Sequence, residues 1–140
     1  MNNPGVYKLF VYGSLRSEFK SHAFEYISRF FSFEGIGRVN GKLFDMGTYP
    51  AGVPAADAFI VGELYAIRNE PEFSWAMGQL DDYEGVAVEP DEIQLFRREL
   101  VDVFTEGAKT IAWIFWYTGS VEGKPLIESG DLIQYLQQKK

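Results

Sequence analysis

The side chains available for catalysis in this sequence are mainly acids and tyrosines. The chain contains no cysteine and one histidine, His22, which falls opposite the apolar face of its predicted helix. Thiol nucleophiles, disulfides and thiolate zinc sites are therefore excluded. Ser-His-Asp catalysis or a histidine metal site would depend on that single residue. Any proton transfer must fall to carboxylates, tyrosines or lysines.

Glu84 is the strongest candidate for acid–base chemistry. Glu70-Pro71-Glu72 predicts a helix start, because proline and acids favour the first turn, and Gly85 predicts the end of that helix. Glu84 continues the apolar stripe of this helix, which consists of Phe73, Ala76, Met77, Leu80 and Tyr83. Desolvation and the negative end of the helix dipole both disfavour a charged carboxylate there, so we expect a raised pKa. Exposure to solvent past a frayed helix end, or a pairing with a buried arginine, is the alternative.

A second candidate follows the first predicted strand, residues 7–12, where Tyr12-Gly13-Ser14-Leu15 enters a turn. Glycine lets the backbone approach a ligand closely, and successive N–H groups in such a turn can bind an anion. An ordinary turn after a strand is the alternative, and the pattern alone favours it.

Tyr49 and Tyr117 are further candidates for ligand contact. Asp45, Gly47 and Pro50 predict a constrained turn that can present Tyr49 to a cleft, although a purely structural loop is the commoner outcome. Tyr117 ends an apolar segment, and a buried tyrosine hydroxyl needs a partner, either a ligand or another group of the core.

The elements that must position these residues indicate an α+β fold with an antiparallel or mixed, strongly curved sheet. Residues 35–54 predict only short strand pieces between glycines. Glu106-Gly107 predicts a hairpin turn, and the following segment, apolar on both faces, predicts a central strand. The remaining elements are predicted strands over 59–67, 100–104 and 110–117 and predicted helices over 21–31, 70–84 and 130–138.

The composition indicates one soluble domain over residues 1–140. Hydrophobic residues make up 46% of the chain, enough for a folded core. The formal net charge of -7 argues against a nucleic-acid partner. The sequence contains no signal-peptide pattern and no apolar run of membrane-spanning length, so we expect a cytoplasmic protein without a membrane partner.

Six segments, in this order, resemble the γ-glutamylcyclotransferase-like family, which includes AIG2-like proteins and γ-glutamylamine cyclotransferases. Two residues depart from the family pattern: Phe96 stands where tyrosine is common, and Leu132 where tryptophan is frequent. The matching segments span nearly the whole chain: Phe10–Leu15, Gly41–Ala51, Val61–Tyr65, Leu80–Gly85, Arg97–Val103 and Ala112–Tyr117.

The resemblance implies a small, partly closed β-barrel with flanking helices and a cavity at one end. It implies that Glu84 is the catalytic acid/base and that the turn after strand one holds the glutamyl end of the substrate. The implied reaction releases 5-oxoproline from a small γ-glutamyl peptide, amine or amide, without a metal or other cofactor, in a monomer or weak homodimer. A non-catalytic module that binds a small metabolite or peptide in the same cavity is the alternative. The expected substrate contacts are Tyr12, Gly13, Ser14, Leu15, Tyr49 and Tyr117.

Overall fold

The structure is a computed structural model that describes residues 6–13, 22–47, 50–84 and 96–138. For residues 22–24, 26, 81–84 and 138 it describes the backbone only. Ser14, Leu15, Tyr49 and the side chain of Glu84 therefore lie outside the described residues. The elements, in chain order, are β1 (Lys8–Val11), α1 (His22–Phe30), β2 (Phe31–Asp45), β3 (Pro50–Ile67), α2 (Phe73–Glu84), β4 (Phe96–Thr105), β5 (Ala108–Tyr117), β6 (Leu126–Ile127) and α3 (Leu132–Gln138).

The strands form one mixed sheet in the order β3-β1-β5-β4-β2-β6. Because β2 also pairs with β3, strands β1 to β5 close into a ring, with β6 added beside β2. β1 is parallel to β5, and the other pairings are antiparallel. The predicted α+β class with a curved, mixed sheet is confirmed. In the described residues, no helix is both long and apolar enough to cross a membrane.

The largest difference from the sequence-based prediction is the hairpin of β2 and β3. Instead of short strand pieces over 35–54, these strands run for 15 and 18 residues and pair from Phe31 with Ile67 to Asp45 with Pro50. Glycine lowers strand propensity, but continuous cross-strand pairing outweighs it. At Gly41 a glycine is needed, since a Cβ there would lie 2.8 Å from the carbonyl oxygen of Val53. Register shifts after Phe33 and Asn40 bend the hairpin around the ring.

The hairpin of β4 and β5 is confirmed and is longer than predicted. It pairs from Phe96 with Tyr117 to Thr105 with Ala108, and its turn contains Gly107 at a φ of 75°. β5 lies between β1 and β4, as its apolar character on both faces predicts.

Two cores lie on opposite faces of the ring, because successive strand residues point to opposite sides. One core fills the interior of the ring and includes Phe10, Leu64 and Ile114, together with Leu132 of α3. The other lies on the outer face that α1 and α2 cover, which we call the helix face. Its buried members are Leu9, Val11, Ile27, Phe31, Tyr65, Phe73, Ala76, Met77, Leu80 and Phe115.

Candidate functional site

The end of β1 is held to its neighbours by the side chain of Tyr12. This side chain is buried inside the ring. Its hydroxyl donates a hydrogen bond to the carbonyl oxygen of Phe115 at 2.6 Å and accepts one from the backbone N–H of Gly52 at 3.3 Å. The hydroxyl of Tyr12 thus bonds to the main chain of β5 and β3. Tyr12, one of the predicted substrate contacts, therefore holds the main chain in place where β1 ends.

Gly13, the next residue, lies against the start of β3. A Cβ at Gly13 would lie 3.1 Å from Cγ of Pro50, closer than side chains ordinarily pack. Glycine therefore lets the proline ring close over the end of β1. Ser14 and Leu15 lie outside the described residues, so the backbone cradle that they complete with Gly13 stays a prediction.

The constrained turn predicted around Asp45 and Gly47 is confirmed. Oδ1 of Asp45 accepts the backbone N–H of Gly47 at 2.8 Å, and Gly47 has a φ of 100°, in the region that favours glycine. Asp45 ends β2 directly opposite Pro50, the first residue of β3. Pro50 in turn lies against Gly13. Tyr49 lies outside the described residues, so its contact with a ligand stays a prediction.

Tyr117 is buried at the end of β5. Its ring meets Phe96 edge-on, with 5.6 Å between centroids, and its hydroxyl packs on Gly119, where a Cβ would lie 2.7 Å away. Because Leu9 and Trp113 are paired in parallel strands, Tyr117 lies on the helix face with Phe115, whereas Tyr12 lies on the interior face. The structure does not bring the side chains of Tyr12 and Tyr117 to one face.

α2 packs on the helix face, and Glu84 is its last residue. The predicted apolar stripe is confirmed at Phe73, Met77 and Leu80, which are buried. The ring of Phe73 meets Tyr7 at 5.3 Å, so α2 begins beside the amino end of β1. The side chain of Glu84 is outside the described residues, so its catalytic role stays a prediction.

Glu63 is a candidate to which the sequence analysis assigned no role. It is the one buried charged residue in the part of the chain that the structure describes, with 2% of its surface exposed. The hydroxyl of Tyr65 donates a hydrogen bond to Oε1 of Glu63 at 2.9 Å. Glu63 is paired with Val11, two residues before Gly13, and so lies on the helix face. A glutamate within an apolar strand is the sequence pattern that could have indicated a buried acid. Burial of its carboxylate requires compensating hydrogen bonds.

A separate groove of about 610 Å³ lies at the amino end of β1, away from these residues. Charges of both signs line it, including Lys8, Lys109, Glu70 and Asp102. Lys8 forms an ion pair with Glu34 at 3.0 Å. The groove is open and contains none of the predicted site residues, so the carboxyl ends of β1 and β5 are the better candidate.

Comparison with solved structures finds the same fold in bacteria and in an animal. YkqA from Bacillus subtilis is 25% identical, with a TM-score of 0.67, and the match covers 96% of this chain but 43% of that protein. YtfP from Escherichia coli is 27% identical, with a TM-score of 0.61 and coverage of 95% and 99%. An aig2-like protein, ggact, from Mus musculus is 21% identical, with a TM-score of 0.65 and coverage of 89% and 88%.

Sequence comparison among curated proteins finds no match. The family model described as gamma-glutamyl cyclotransferase, AIG2-like, matches residues 9–134, which include most of β1, all of α2 and the first three residues of α3. The chain therefore belongs to the γ-glutamyl cyclotransferase, AIG2-like family.

Proposed function

We propose that this protein is a γ-glutamyl cyclotransferase that releases 5-oxoproline from a γ-glutamyl peptide, amine or amide. The observation that carries the proposal is the family match over residues 9–134, which contains both the turn after β1 and Glu84. The position of α2 supports it, since this helix ends at Glu84 and packs on the helix face, to which Leu9 and Val11 of β1 also belong. These two segments are the ones that the proposed chemistry needs.

The proposed reaction is intramolecular. The α-amine of the glutamyl group attacks its own γ-carbonyl carbon and closes a five-membered lactam, and the bond from that carbon to the leaving amine breaks. The α-ammonium must lose one proton before attack, and the same nitrogen loses a second proton as the lactam forms, while the leaving nitrogen must gain one. The enzyme therefore has to hold the folded-back conformer and move protons, and a covalent nucleophile is not required.

In this mechanism Glu84 takes the proton from the α-ammonium and returns a proton to the leaving amine. A carboxylate with a raised pKa suits both steps. Backbone N–H groups at Gly13, Ser14 and Leu15 hold the α-carboxylate or the developing oxyanion. Tyr12 fixes the start of this turn through its hydrogen bonds to Phe115 and Gly52.

The test is incubation of the purified protein with a γ-glutamyl dipeptide, γ-glutamyl-lysine and a wider γ-glutamyl panel, with 5-oxoproline as the measured product. Glu84→Gln, which keeps the side-chain shape, should abolish turnover with the circular dichroism spectrum unchanged. Glu70→Gln is the matched control, since Glu70 is exposed in the turn that leads into α2. Absence of turnover by the wild-type protein across the panel would overturn the proposal, and turnover by Glu84→Gln would remove Glu84 from its role.

One observation favours a second function, a non-catalytic binding module. Phe96 packs against Tyr117 at a position where the family commonly has tyrosine, so one hydroxyl is missing beside the candidate site. Thermal stabilisation of the protein by 5-oxoproline or glutamate, without turnover of any panel compound, would support this function over catalysis.

A further inference from the structure

The carboxylate of Asp45 connects the C-terminal helix to the turn between β2 and β3. Oδ2 of Asp45 accepts a hydrogen bond from the hydroxyl of Tyr135 in α3 at 2.7 Å, and Oδ1 accepts the N–H of Gly47 at 2.8 Å. The backbone N–H of Asp45 donates to the carbonyl oxygen of Pro125 at 2.9 Å. These three contacts hold Asp45, and those to Tyr135 and Pro125 come from the C-terminal segment.

This end of the hairpin contacts both residues at the end of β1. Asp45 is paired with Pro50, and Cγ of Pro50 lies 3.1 Å from the position that a Cβ on Gly13 would take. Two residues later, the N–H of Gly52 donates to the hydroxyl of Tyr12. A shift of the hairpin end would therefore move Tyr12 and Gly13, because the packing there leaves no room for independent motion.

α3 is itself anchored independently of Tyr135. Leu132 is buried in the interior core, and β6 pairs with β2 immediately before the helix. Asp131 caps the helix, since its Oδ1 accepts the N–H of Ile133 at 3.0 Å. Removal of the hydroxyl of Tyr135 should therefore leave α3 in place and release only Asp45.

We propose that Asp45 and Tyr135 are positioning residues for the main chain of Gly13, acting through Pro50. The inference rests on the proposed cyclotransferase function. It adds that the C-terminal helix α3 supports the candidate site. Neither residue touches the substrate. Tyr135 keeps the carboxylate of Asp45 in one orientation, Asp45 keeps the end of β2 paired with Pro50, and Pro50 lies over the backbone of Gly13.

The kinetic test compares Tyr135→Phe with Tyr7→Phe, a matched control at the opposite end of β1. Tyr135→Phe should lower kcat/KM about tenfold, because a small misplacement of a binding turn is costly for catalysis. Tyr7→Phe should leave kcat/KM within about twofold. Asp45→Asn keeps one acceptor oxygen and should therefore retain a higher kcat/KM than Asp45→Ala. The variant that combines Asp45→Ala with Tyr135→Phe should have a kcat/KM no lower than that of Asp45→Ala alone, since both changes break the same hydrogen bond.

An NMR test does not depend on turnover. In an amide correlation spectrum, Tyr135→Phe should shift the resonances of Gly13 and Gly52 as well as that of Gly47. Shifts confined to α3, Asp45 and Gly47 would overturn the inference, and so would shifts at Gly13 with unchanged kcat/KM. If the wild-type protein turns over no γ-glutamyl compound, the cyclotransferase proposal fails, and the glycine resonances still decide whether Tyr135 positions Gly13.

Discussion

The hydroxyl of Tyr12 lies 2.6 Å from the carbonyl oxygen of Phe115 and joins the end of β1 to β5. Register pairing between these two parallel strands is confined to Leu9 and Trp113. The hydrogen bond of Tyr12 therefore supports the ring at a point where the ladder has ended. The next residue, Gly13, lies against Pro50 at the start of β3.

Tyr12→Phe should lower the free energy of unfolding by about 1–3 kcal/mol, because the buried carbonyl of Phe115 loses a hydrogen-bond donor. Denaturant unfolding followed by circular dichroism measures this change. Tyr7→Phe serves as the control and should change the free energy of unfolding by less than about 0.5 kcal/mol. Equal effects of the two substitutions would show that the bond of Tyr12 to Phe115 does not stabilise the ring.

Alanine at Gly52 and alanine at Gly78 should have effects of opposite sign. A Cβ at Gly52 would lie 2.7 Å from Cζ of Tyr12, so Gly52→Ala should destabilise the protein by about 1–3 kcal/mol. Gly78 lies within α2, and a Cβ there meets nothing within 4 Å, so Gly78→Ala should stabilise by about 0.5–1 kcal/mol through helix propensity. Thermal unfolding of the two variants measures both effects. A stabilised Gly52→Ala protein would contradict the close packing at Tyr12.

Tyr65→Phe should destabilise the protein through its hydrogen bond to Glu63. This bond joins a hydroxyl to a buried carboxyl oxygen, so its loss should cost about 1.5–3 kcal/mol. The same substitution made in a Glu63→Leu background should cost much less, since the acceptor is already gone. Denaturant unfolding of the four proteins gives the coupling energy. A cost of Tyr65→Phe that is the same in both backgrounds would assign the effect to ring packing instead.

The local pattern of the chain was sufficient to predict several elements that position the site. The stripe of Phe73, Met77 and Leu80 predicted the buried face of α2, since a helix repeats every 3.6 residues. Glu106-Gly107 predicted the turn between β4 and β5 for a similarly local reason. The long hairpin of β2 and β3 was not predicted, because its glycines lower strand propensity and its stability comes from pairing with distant residues.

The sequence by itself determined the acid–base candidates, the apolar faces of the strands and helices, and the resemblance to the family that the chain belongs to. Each of these depends on residue type and on spacing between near neighbours. The tertiary structure decided that the side chains of Tyr12 and Tyr117 lie on opposite faces, that Glu63 is buried, and that Tyr135 bonds to Asp45, 90 residues away. Such relationships arise when the ring closes, because strand register and chain crossing bring together residues that no local pattern connects.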